Sequence, residues 1–190
     1  FFLQAEEGIR GWGVTGVQTC ALPISYLRYL RKKNIPTLVM DSRDRPSGLS
    51  EFSSVKKENF YLGKFDLSVL DKVKTIFVSP GIEYENEVLV KARRLGVEIL
   101  TDIEIFLKES KSKKILISGT NGKTTVVSMI GHVLRNIYRD KKIICCGNIG
   151  TPVLDTLIEE HSISVVEVSS FHLEHSKSLE CETEERRVGK

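Results

Sequence analysis

Lys123, Thr124 and Glu167 are the residues whose types and surroundings could do chemistry together. Lys123 and Thr124 close the run KILISGTNGKTT (114–125), in which apolar residues Ile115–Ile117 lead into a glycine loop. A helical pattern follows at once through Val126, Val127, Met129, Ile130, Val133 and Leu134. Strand, glycine loop and helix, in that order, form a cradle for phosphate. Gly119 and Gly122 let the backbone turn its N–H groups inward, and a helix start adds partial positive charge. Thr120, Asn121 and Thr125 complete the loop. Lys123 can reach the β- and γ-phosphates of ATP, and the Thr124 hydroxyl can ligate Mg²⁺. Glu167 ends the apolar run beginning at Ile163, where a carboxylate for that Mg²⁺ is needed. The loop departs from the general pattern at one place: five residues before Gly122 stands Ile117, where that pattern has glycine. A plain strand-to-helix turn with an incidental lysine is the alternative, and the flanking strand and helix count against it.

Two further groups sit where predicted strands end. Asp41, Ser42 and Arg43 follow the apolar run Thr37–Met40, and Ser79, Pro80 and Gly81 follow Lys74–Val78. Ligands of open α/β sheets lie outside the carboxyl ends of the strands. Asp41 could accept hydrogen bonds from a uridine or ribose, and Arg43 could contact phosphate. A capped loop with a surface ion pair explains the first group as well. A simple turn explains the second.

These residues must be positioned by alternating elements. A helix over Tyr26–Lys33 carries an apolar stripe, and Asn34 stops it. Strands are expected over 36–41, 74–78 and 97–100, with helices over 85–95 and 102–107, the latter capped by Asp102. The polar run KESKSKK (108–114) reads as a domain linker. A second unit follows, with strands over 114–118, 142–146 and 163–168 and helices over 123–138 and 152–160. The pattern predicts a doubly wound, parallel α/β fold: a Rossmann-like domain, then an incomplete P-loop ATPase domain.

The loop GTNGKTT resembles the ATP loop of the Mur ligases. VMDSR (39–43), VSPGI (78–82), TDIEIF (101–106), GNIG (147–150) and VEVSSFHLE (166–174) occur in that family's order at compatible spacings. Together they resemble its D-glutamate-adding branch. The resemblance implies ATP-dependent amide bond formation in peptidoglycan precursor synthesis. A carboxylate of UDP-N-acetylmuramoyl-L-alanine would take the γ-phosphoryl of ATP, and the amine of D-glutamate would displace phosphate. It implies that Asp41, Ser42 and Arg43 contact the uracil nucleotide and that Ser79, Pro80 and Gly81 contact the UDP-sugar. It also implies that Lys123 and Glu167 are catalytic, that Thr124 and Glu167 hold Mg²⁺, and that Asn148 stands near substrate and metal. Ser169 and His172 would line the same cleft. The family usually has glutamine where His172 stands. The family's downstream catalytic histidine, carbamylated lysine and D-glutamate-binding domain do not follow Glu180, so this chain alone is expected to be inactive. Another Mur or folylpolyglutamate-type ligase, or a non-catalytic nucleotide-binding module, is the alternative.

The ends look foreign. Residues 5–24 (AEEGIRGWGVTGVQTCALPI) and 181–190 (CETEERRVGK) resemble translated sequencing adapters. Gly13–Gly16 mimics a glycine turn, but Asp41 lies too far beyond it. The expected organisation is therefore a non-native segment 1–24, a UDP-substrate domain 25–107, a linker 108–113, part of an ATP-binding domain 114–180, and a non-native tail 181–190. A net charge of +3 gives no case for a nucleic-acid partner, and no apolar run is long enough to span a bilayer. A cytoplasmic monomer is expected. Adjacent Cys145 and Cys146 lack metal-site spacing and read as a buried, reduced pair facing opposite ways.

Overall fold

A computed structural model describes residues 2–4, 21–45, 56–79 and 82–175. Two α/β units follow one another along the chain. The first holds β1 (Phe2–Gln4), α1 (Ala21–Lys32), β2 (Leu38–Asp41), β3 (Phe60–Leu62), β4 (Thr75–Phe77), α2 (Glu87–Arg94), β5 (Glu98–Leu100) and α3 (Asp102–Glu109). Its sheet has the order β3-β2-β1-β4-β5, the doubly wound arrangement of dinucleotide-binding sheets. The second holds β6 (Lys113–Ile117), α4 (Lys123–Ile137), β7 (Ile143–Gly147), α5 (Val153–Thr156), β8 (Ile163–Glu167) and α6 (Ser170–His175). Its three strands run in the order β6-β8-β7, all parallel.

The first sheet is not wholly parallel. β1 pairs antiparallel with both β2 and β4, whereas β2–β3 and β4–β5 are parallel. A strand in the central slot satisfies the ladder groups of β2 and β4 in either direction, and without it those groups would face each other unpaired. The alternating pattern of the later elements does not reveal this reversal. β3 is not among the strands the sequence pattern predicts.

Local signals explain most boundaries. α1 ends in paired turns: Asn34 N–H donates to Arg31 O and Ile35 N–H to Leu30 O, with Asn34 at φ 54°. This left-handed Schellman ending is what asparagine tolerates. α3 starts one residue earlier than its acidic residue suggests. Thr101, not Asp102, is the N-cap, in a reciprocal capping box with Glu104. α3 then runs to Glu109 and β6 begins at Lys113, so residues 110–112 make the whole connection and Ser112 is buried. The polar run at 108–114 is therefore largely helix end and strand start. α5 is a single turn, shorter than the pattern over 152–160 predicts.

One core joins the units. Tyr26, Leu27 and Leu30 of α1, Ile103, Ile105 and Phe106 of α3, Val153 and Leu154 of α5, and Val166 of β8 belong to a single buried cluster. A second cluster lies among β2, β4, β5 and α2. A third lies between α4 and the second sheet. Cys146 enters the shared core while Cys145 faces α4, the opposite placement expected of neighbours on a strand.

Candidate functional site

Residues 118–122 turn the chain from β6 into α4. Gly122 opens the helix at φ 72°, with nothing within 4 Å of where a Cβ would stand. The glycine is there for its backbone, not for space. α4 has no side-chain cap at its start, which leaves first-turn N–H groups for an anion. The Lys123 ammonium donates to Gly119 O at 2.8 Å, so it lies over the loop it would serve.

Glu167 is the fixed point of the site. It is 3% exposed at the carboxyl end of β8. The Thr124 hydroxyl donates to Glu167 Oε2 at 2.8 Å, and Asn148 Nδ2 donates to Glu167 Oε1 at 3.3 Å. Asn148 also donates its backbone N–H to Glu167 O at 3.1 Å. Gly147 makes this approach possible. It sits at φ 114°, and a Cβ there would fall 2.3 Å from Glu167 O. The glycine of GNIG thus lets two strand ends close on each other, a need that spacing in the sequence does not display.

A hydroxyl and a carboxylate are hard oxygen donors, suited to Mg²⁺ completed by water and phosphate oxygens. Among the described residues no group of three or more His, Cys, Asp or Glu is placed to hold a metal alone. The residues present therefore fit a magnesium nucleotide better than a free-standing metal centre.

The first unit offers a second edge. Asp41, 1% exposed at the end of β2, accepts from Arg43 N at 2.9 Å, from Arg43 Nε at 2.9 Å and from Arg43 Nη2 at 2.7 Å. Arg43 thus forms a forked ion pair with Asp41, on a buried carboxylate rather than at the surface. The pair turns the half-buried Arg43 guanidinium into part of the loop wall, while Ser42 is exposed. Ser79, just past β4, is fully buried and its hydroxyl has no hydrogen-bond partner. A buried hydroxyl left unmatched costs about 1–3 kcal/mol, which suits a group kept for a ligand. Pro80 and Gly81 lie outside the described residues.

His172 has protein groups beside both ring nitrogens. It is 1% exposed; its Nδ1 accepts from Ser169 N–H at 3.1 Å and lies 2.9 Å from Ser169 Oγ. Its Nε2 stands 2.9 Å from Asp102 Oδ1, a residue of the other unit. The ring is therefore held among protein groups. The spacing of Asp102 in the sequence marks a helix cap and does not point to this partner. His132 is exposed on α4 beside Asn136, as a surface residue should be.

Comparison with known proteins separates the two units in the same way. Residues 7–101 match the Mur ligase MurD-like N-terminal domain, and residues 117–184 match the Mur ligase middle domain. The chain belongs to the Mur ligase family. The UDP-N-acetylmuramoylalanine–D-glutamate ligase of Shewanella oneidensis is 39% identical over 182 residues, covering 94% of this chain and 39% of that protein. The ligase of the same name from Pseudomonas aeruginosa is 34% identical over 160 residues, 84% of this chain and 35% of that protein. A solved pseudomurein peptide ligase type C from Methanothermus fervidus is 25% identical, with a TM-score of 0.42 over 77% of this chain and 30% of that one. The chain thus spans less than two fifths of the length of the curated Mur ligases it matches. The N-terminal match takes in Asp41–Arg43 and Ser79–Gly81; the middle-domain match takes in Lys123, Asn148, Glu167 and His172. The first match begins at residue 7, within the stretch that resembles adapter sequence.

Proposed function

We propose that this chain supplies the UDP-substrate unit and part of the ATP unit of a ligase. That enzyme adds D-glutamate to UDP-N-acetylmuramoyl-L-alanine in the cytoplasm, as a monomer. The observation that carries the reading is Glu167, buried and gripped by Thr124 and Asn148 beside the Lys123 loop. The relatives named for this reaction support the choice of substrates.

In this reading the loop N–H groups and Lys123 bind the β- and γ-phosphates and offset charge on the transferring phosphoryl. Thr124 and Glu167 hold Mg²⁺, which when bound draws charge from the phosphate oxygens. Asn148 fixes the Glu167 carboxylate and stands where substrate and metal meet. The unmatched Ser79 hydroxyl and the Arg43 guanidinium receive the UDP end. The substrate carboxylate attacks the γ-phosphorus in line, ADP leaves, and the D-glutamate amine then displaces phosphate from the acyl phosphate. Both units act chiefly by placing the partners in reach.

The test is phosphate release by the intact gene product. It should require UDP-N-acetylmuramoyl-L-alanine and D-glutamate together. Release with another amino acid in place of D-glutamate would point to a different branch. Mg-ATP binding with no substrate-dependent turnover would point to a nucleotide-binding module.

A further inference from the structure

Asp102 and His172 are each 1% exposed and face each other across the two units. Asp102 opens α3 directly after β5, at the carboxyl edge of the first sheet. Its Oδ1 accepts from Ile103 N–H at 3.0 Å, while its Oδ2 and the facing His172 Nε2, 2.9 Å from Oδ1, are both buried without a hydrogen-bond partner, a close contact of two polar groups that have no other answer. Burying such a carboxylate costs several kcal/mol unless a partner answers it, and His172 is the partner at hand.

His172 is bound on its other side to the phosphate unit. Its Nδ1 accepts from Ser169 N–H while Ser169 Oγ accepts from His172 N–H at 3.4 Å. This is a capping box with a histidine in the place usual for glutamate or glutamine. Because Nδ1 accepts, the ring proton falls to Nε2, the nitrogen beside Asp102. The neighbouring Phe171 packs against the second core cluster, which belongs to the first unit. α6 is thus seated on the substrate unit by two successive side chains, and Ser169 lies two residues beyond Glu167.

We propose that Asp102 and His172 are positioning residues forming a buried latch. It ties the carboxyl edge of the first sheet, through Ser169, to the Glu167 end of β8. It thereby fixes the span between the Asp41–Ser79 edge and the phosphate cradle. The latch stands on geometry alone; its use in aligning two substrates rests on the ligase reading. The same two contacts define which residue could replace the histidine. Glutamine can accept from Ser169 N–H and donate to Asp102 with the same side chain.

The test uses Asp102→Ala, His172→Ala, the double variant and His172→Gln in this chain. In denaturant unfolding the two single losses should overlap, with a coupling of about 5-fold or more in the folded-to-unfolded ratio. His172→Gln should stay within about 2-fold of the parent, well below that coupling. Mg-ATP affinity, measured where each variant is folded, should fall several-fold in Asp102→Ala, although Asp102 lies in the other unit. Additive single effects, His172→Gln matching His172→Ala, or unchanged Mg-ATP affinity in Asp102→Ala would each overturn the latch as a positioning device. A parent chain that binds no Mg-ATP would instead defeat the ligase reading, and the unfolding cycle would still decide the latch. Should Asp102→Ala not fold, ring ¹⁵N spectra of the parent decide: a proton on Nε2 of His172 is expected, and a proton on Nδ1 alone overturns it.

Discussion

The two sheets carry their candidate ligand groups at the same carboxyl edge but prepare them differently. In the second unit the groups brace one another through protein contacts: Thr124 and Asn148 grip Glu167 from two directions. In the first unit Asp41 is matched by its near neighbour Arg43, while Ser79 keeps a buried hydroxyl unmatched. The difference suits the tasks proposed. A metal and a transferring phosphoryl need fixed charges. A nucleotide-sugar needs donors still free to be used.

Breaking the braced side should give the largest effect. Lys123→Ala removes the side-chain ammonium that lies over the loop, and a charged hydrogen bond contributes about 1.5–3 kcal/mol. Mg-ATP affinity should fall by about 10- to 100-fold in titration calorimetry, with the melting midpoint little moved. Gly147→Ala tests the close approach itself. Its Cβ would meet Glu167 O at 2.3 Å, so the backbone must shift, and about 1–3 kcal/mol of stability should go. An unchanged melt and unchanged magnesium dependence in that variant would show the strand ends to be looser than described.

The first unit should respond more mildly. Arg43→Ala leaves the Asp41 carboxylate, 1% exposed, without its forked partner. Because the guanidinium is 39% exposed, solvent screening lowers the loss to about 1 kcal/mol. Mg-ATP binding should stay at the parent value; a loss as large as that of Lys123→Ala would erase the contrast between the units.

The effect that is smallest at neutral pH, and grows only in alkali, is a change with pH in the shared core. Burial, reinforced by Cys145, pushes the Cys146 thiol from 9.0 up to about 12. Burial, with the Asp102 charge, also raises the Tyr26 hydroxyl well above its usual 10.0. Both groups keep their protons in the folded state after the unfolded chain has lost them. Their stabilising share is whole below about pH 9 and declines as pH rises toward 12. Alkaline unfolding midpoints should fall accordingly, and Cys146 should resist alkylation at pH 8 until the chain is unfolded. Rapid labelling of Cys146 in the folded chain would contradict the shared core.

Legibility in the sequence followed the range of each interaction. The Lys123 loop could be read because a phosphate cradle is contiguous: strand, glycines and helix start lie within a dozen residues. The stop at Asn34 and the opposite facing of Cys145 and Cys146 are equally local. What depends on a partner far along the chain was hidden. The direction of β1 is set by β2 and β4, the role of Gly147 by the backbone of Glu167, and the burial of His172 by Asp102. At the start of α3 two adjacent residues both suit a cap, and only the reciprocal bonds between Thr101 and Glu104 distinguish Thr101 from Asp102.

Titration of this purified chain with ATP, with and without Mg²⁺, beside Glu167→Gln, tests the central claim most directly. The account predicts that Mg²⁺ tightens binding in the parent and that this gain is lost in Glu167→Gln while magnesium-free binding persists. Equal magnesium dependence in both proteins would contradict it, because Glu167 would then not be the carboxylate around which the site is built.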